Sequence, residues 1–135
     1  MLPTTSGSEN STRYRGRMRA LVAVTLGGGV GTALRYVIAA PINTRLPALG
    51  TATVNVLGSL VLGLLVGWWS TRQGDATLRL ALGTGVLGGF TTFSAWAIEA
   101  VDSFDRPGRL LGLIAVPLVL GILAAWAGVR IGRSF

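Results

Sequence analysis

Four apolar runs of about twenty residues each constrain this chain more than any other feature: residues 20–40, 50–69, 78–98 and 110–129. Each matches the roughly 20 residues that cross about 30 Å of hydrocarbon at about 1.5 Å per residue. A soluble helical bundle would instead need one polar face on every helix. The stretches LVLGLLVGWW and LLGLIAVPLVLGILAAWAGV have none. Only 13% of the 135 residues are charged, against about 25% in a typical soluble domain. Too few charges remain to cover a water-facing surface. The expected fold class is an all-α integral membrane protein with four transmembrane helices.

The basic residues are all arginine, twelve of them, and the chain has no Lys, His or Cys. That composition excludes disulfides, thiolate or imidazole metal sites, Ser-His-Asp and Cys-His nucleophiles, and phosphate loops that need a lysine. No nucleophile–base pair can be assembled, so an enzyme is not expected. A net charge of +7 would suit nucleic acid. The arginines, however, flank apolar runs, so the charge reads as membrane topology and no nucleic-acid partner is expected.

Residues 1–19 are polar and end in the basic series Arg13, Arg15, Arg17 and Arg19. Their composition predicts a disordered cytoplasmic tail ahead of a membrane domain over residues 20–135. Pro41 and Pro47 are expected to bracket the first loop, and Trp68 and Trp69 to anchor the second span at an interface. With the N-terminus inside, eight arginines fall on the cytoplasmic side and three or four, counting Arg35, on the other. The bias predicts both termini in the cytoplasm of a plasma-membrane protein. Glycines spaced four apart, Gly27/Gly31, Gly63/Gly67, Gly85/Gly89 and Gly128/Gly132, predict faces that let helix backbones approach closely. Pro117 is expected to kink the fourth span, which offers a pathway no polar side chain.

Polar residues inside the spans are the candidates for function. Thr51, Asn55 and Ser59 lie four apart and form a stripe about 12 Å long on one face of the second helix. An intramembrane Asn amide must find a neighbouring helix or a wet pathway, and either would satisfy it. In the third span, Gly88-Gly89 precede Phe90, Thr91, Thr92 and Phe93 at mid-membrane depth. Paired glycines and then β-branched residues predict an interrupted helix. Backbone freed there must be satisfied by the protein, by water or by an ion. Beyond it, Phe93 and Trp96 are three apart with Ser94 between them, a spacing that ordinary packing also produces. Arg35, deep in the first run, would either snorkel to the interface or form an electropositive vestibule.

Three segments in order resemble the Fluc (CrcB) fluoride channel family: GGGVGTALRY, GTATVNVLGSLVLG and GTGVLGGFTTFSAWAIE. With the four-span layout they cover nearly the whole chain after residue 20. The resemblance implies a passive, fluoride-selective channel built as an antiparallel dimer, with two pores along the subunit interface and a structural sodium ion at its centre. It implies that the backbone carbonyls of Gly88 and Thr91 bind that sodium. Asn55 would be a hydrogen-bond donor to fluoride, Phe93 and Trp96 would line the path, and Arg35 would sit near the aqueous entrance. Trp96 departs from the phenylalanine usual in the family. That departure, the apolar fourth helix and the arginine bias together point to a heterodimer with an oppositely oriented paralogue as the alternative to a homodimer. A small multidrug-type exporter would need a membrane-embedded carboxylate, yet the first span has none and Glu99 lies at the far end of the third. A non-transporting assembly subunit would explain the glycines, but neither the stripe nor the interruption.

Overall fold

The computed structural model describes residues 7–46, 48–72 and 74–135. Four helical spans cross in sequence: α1 (Gly7–Asn43), α2 (Leu49–Ser70), a segmented third span (Ala76–Val101), and α6 (Pro107–Gly132). All four are long and apolar enough to traverse a bilayer. The third span comprises α3 (Ala76–Arg79), a π-helical stretch over Leu80–Leu87, α4 (Gly88–Phe90) and α5 (Phe93–Val101).

Two boundaries differ from expectation. Helix α1 begins at Gly7, so residues 7–19 are helical where composition predicted a disordered tail; residues 1–6 lie outside the described residues. Extending an existing helix needs no new nucleus, and Arg and Met are good helix formers. The 37 residues of α1 reach about 55 Å at 1.5 Å each, well beyond the hydrocarbon layer. Pro41 lies inside α1 and does not open the loop; Pro47 is outside the described residues. A proline in the last turn forfeits one backbone bond, to Val37. The end is then closed by Thr44, whose N–H reaches the Ala40 carbonyl at 3.1 Å and whose hydroxyl donates to the Pro41 carbonyl at 2.8 Å.

Glycine decides how the spans pair. Helix α1 packs along the third span, and α2 along α6. A Cβ added to Gly31 would overlap the Val86 carbonyl, and one on Gly89 the Gly28 carbonyl. In the other pair, Gly63 and Gly67 face the Ala125 and Val129 carbonyls, while Gly128 and Gly132 face those of Leu60 and Leu64. Lipid supplies no hydrophobic force between helices, so van der Waals contact between such bare backbones holds the pairs together. The two pairs meet at a small core of Ala39, Val54 and Phe90, backed by Ile38. Phe90 is the last helical residue before the interruption, so this buried cluster adjoins the broken backbone.

Candidate functional site

The third span breaks at Thr91 and Thr92, whose φ/ψ of −83°/158° and −149°/118° are extended. In a continuous helix the Thr92 N–H would donate to the Gly88 carbonyl. Here it donates to Asn55 Oδ1 at 2.7 Å, and Asn55 Nδ2 returns a bond to the Thr92 carbonyl at 2.9 Å. One amide side chain thus satisfies both backbone groups of a residue that no helix can serve. Chain direction is restored by Thr92 as the N-cap of α5, its hydroxyl accepting from the Ala95 N–H at 3.3 Å. Gly58 makes room for the break on α2, since a Cβ there would collide with the Thr91 methyl.

Two clefts flank this break, and together they collect Arg35, Thr51, Asn55, Ser59, Gly88, Thr91, Phe93, Ser94 and Trp96. One, of about 340 Å³, is lined by Asn55, Ser59, Gly88, Thr91, Phe93 and Trp96, among others. The other, of about 680 Å³, is lined by Arg35, Asn43, Thr51, Ser94 and Glu99, with further apolar neighbours. Thr92 borders both. The stripe on α2 therefore runs from one cleft past the break to the other, with Asn55 between Thr51 and Ser59.

The hydroxyl protons along the stripe are engaged within the chain. Thr51, 3% exposed, donates to Glu99 Oε1 at 2.6 Å and accepts from Asn43 Nδ2 at 3.3 Å. Ser59 donates to the carbonyl of Asn55, one turn back, at 2.8 Å. Ser94 lies 3.3 Å from the Thr92 hydroxyl. The Asn55 amide differs: it carries two N–H groups and spends one on Thr92, so the second is available to a guest. Phe93 is 75% exposed and stands 5.2 Å from the Trp96 ring, tilted by 52°. Trp96 donates its indole N–H to the Leu113 carbonyl of α6 at 2.7 Å.

Arg35 is half-buried, and its guanidinium donates to the Thr91 carbonyl at 3.2 Å. It bonds the broken backbone while lining the larger cleft. The Gly88 carbonyl, released by the turn of Thr92, and the Thr91 carbonyl are neutral oxygen donors suited to a hard monovalent cation. Thr91 shares its oxygen with Arg35 and retains a second lone pair. Two carbonyls do not close a coordination shell; a two-fold related copy would double them.

Glu99 was placed by sequence at the far end of the span and given no role. In the structure it faces the larger cleft, with Oε1 bonded to Thr51 and Oε2 buried without a partner. Among the described residues the ion pair within 4.0 Å is Arg106–Asp105; Arg35 and Glu99 share a cleft without pairing. The available signal for Glu99 was a carboxylate within an otherwise apolar span. Thr92 was likewise seen only as a helix breaker.

The family model described as "CrcB-like protein, Camphor Resistance (CrcB)" matches residues 22–129. A protein of Novosphingobium aromaticivorans named "Fluoride-specific ion channel FluC" is 41% identical over 124 residues, covering 87% of this chain and 95% of that one. Its namesake in Methylobacterium sp. (strain 4-46) is 47% identical over 115 residues, 82% of this chain and 90% of the other. That of Hyphomonas neptunium is 42% identical over 124 residues, 86% and 97% of the respective chains.

Proposed function

The chain belongs to the CrcB-like family, and from that premise we propose that it is a subunit of a fluoride-selective channel through which fluoride leaves the cytoplasm passively. The observation that carries the reading is the break at Thr91–Thr92, bridged by Asn55 and flanked by two clefts that the α2 stripe connects.

Fluoride is small and strongly hydrated, so a pathway must replace its water with donors, without holding the ion by a full charge. The spare N–H of Asn55 is such a donor, midway along the stripe. On one side Arg35 raises the local anion concentration, with its charge partly spent on the Thr91 carbonyl. On the other, the electropositive edges of Phe93 and Trp96 offer weak attraction that permits departure. Ser59 and Thr51 supply hydroxyls that donate only after turning from their present acceptors, and Ser94 shares a hydrogen bond with Thr92 in which either hydroxyl can be the donor. Several modest sites in series allow both entry and exit.

Gly88 and Thr91 would hold a structural sodium ion by their carbonyls, and bound there it supplies a fixed positive charge beside the anion path. Completion of that shell calls for a second subunit, as does Phe93, whose ring is mostly exposed on this chain alone. The working unit is accordingly an antiparallel dimer in lipid, its second subunit either another copy or an oppositely oriented paralogue. Both termini lie in the cytoplasm. Supporting this orientation, Arg72, Arg79 and Arg130 stack on Trp68, Trp69 and Trp126 at the span ends on the N-terminal side. The exporter reading gains nothing from the relatives, which are named as channels.

The test is intracellular fluoride in a bacterium lacking its own fluoride export, with and without this chain. Expression should lower accumulated fluoride and restore growth in fluoride medium. Unchanged accumulation, with the protein present in the membrane, would refute the reading.

A further inference from the structure

Pro117 and Trp96 belong to different spans, and the atom that connects them is a backbone oxygen. Helix α6 continues through Pro117. Proline has no N–H, so the carbonyl four residues earlier, that of Leu113, loses its helical donor. A backbone carbonyl stripped of its partner inside a membrane must find another. Leu113 finds the Trp96 indole N–H at 2.7 Å. The bond fixes the edge of a ring that lines the cleft beside Asn55 and Ser59 and packs on Phe93.

We propose that Pro117 is a positioning residue: by freeing the Leu113 carbonyl it holds Trp96 with its indole N–H turned out of the ion path. The inference rests on the fluoride-pathway reading. An indole N–H is a far stronger donor than any ring C–H, and pointed into the cleft it would add a site that binds the anion and releases it slowly. Committed to Leu113, it leaves only ring carbons for the ion to meet. Proline at 117 thereby makes tryptophan at 96 compatible with passage.

The test combines a double-mutant cycle with a spectroscopic readout. Proteoliposome fluoride efflux is measured for the unmodified chain, Pro117→Ala, Trp96→Phe and the double variant. The Trp96 indole resonance is followed by ¹⁵N NMR in detergent, assigned by its loss in Trp96→Phe. In Pro117→Ala the new N–H at 117 competes with the indole for the Leu113 carbonyl. The indole resonance should then move upfield and exchange faster with solvent. Efflux should fall about five-fold, the weight of one ordinary hydrogen bond. Trp96→Phe should conduct, and adding Pro117→Ala to it should change nothing further. An unmoved indole resonance overturns the proposal. So does a moved resonance with unchanged efflux, an equal loss in both backgrounds, or abolished efflux in Trp96→Phe. Absence of efflux from the unmodified chain would defeat the pathway reading, and the positioning role with it; the resonance would still decide whether Pro117 locks the ring.

Discussion

Asn55 does two things with one amide: it closes the hydrogen bonds of Thr92 and keeps one N–H in reserve. The two roles separate by substitution. Asn55→Ala removes both bonds and should lower stability in detergent by about 1–2 kcal/mol, read as a lower melting temperature, while abolishing fluoride flux. Asn55→Asp keeps an acceptor for the Thr92 N–H but replaces the donor by a negative charge. It should fold, and its flux should fall by about ten-fold or more, the scale of a hydrogen bond to a charged partner turned repulsive. Flux retained in Asn55→Asp would remove Asn55 from the path and leave it a purely architectural residue. The sequence announced the polarity of Asn55 but not its partner. A hydrogen bond to a backbone 37 residues away leaves no mark in local pattern, so the sequence left bridge and donor both open, and the geometry shows the bridge.

At the scale of elements, glycine sets the spacing of the spans. Gly31→Ala and Gly128→Ala would each drive a methyl group into a neighbouring backbone carbonyl, which cannot step aside as a side chain does. Each should cost about 1–3 kcal/mol, read as a lower melting temperature or as loss of the folded species on size exclusion. Gly112, on the same helix as Gly128, has nothing within 4 Å of its would-be Cβ. Gly112→Ala should therefore be neutral or gain up to about 1 kcal/mol from helix propensity. The spans themselves were readable because hydropathy alone defines them, and the close-contact faces because a four-residue period is a surface property of a helix. The interruption was readable from Gly88-Gly89 followed by two threonines. The π-helical stretch over Leu80–Leu87 was not: it packs along α1, a contact that no window of sequence contains. Pro41 was misplaced because a proline closes a loop and ends a helix with almost the same local signature. The helical extension over residues 7–19 was missed because composition does not register that a neighbouring span has already supplied the nucleus.

At the scale of the whole molecule, the exposed surface is largely apolar. Large apolar side chains are exposed along all four spans, and within α6 the most hydrophobic window has no buried residue at all. Lipid covers most of that surface. Gly88 and Phe93, however, are exposed beside the break, where a protein neighbour rather than lipid suits backbone carbonyls. Eight arginines against four should fix one orientation in the membrane. Because the chain has no cysteine, Arg13→Cys supplies a single label site. An impermeant maleimide added to intact cells should leave it unmodified and should react only after lysis. In the proposed antiparallel dimer, such one-sided labelling assigns the opposite orientation to a paralogue, whereas labelling from both sides would make the chain its own antiparallel partner.

Fluoride and chloride release from proteoliposomes, recorded in parallel with ion-selective electrodes, tests most directly whether this broken span conducts a small dehydrated anion. Vesicles holding the purified chain, with its partner subunit if labelling assigns one, should empty their fluoride and retain their chloride. Fluoride retained as in protein-free vesicles, or chloride escaping at the same rate, would contradict the account.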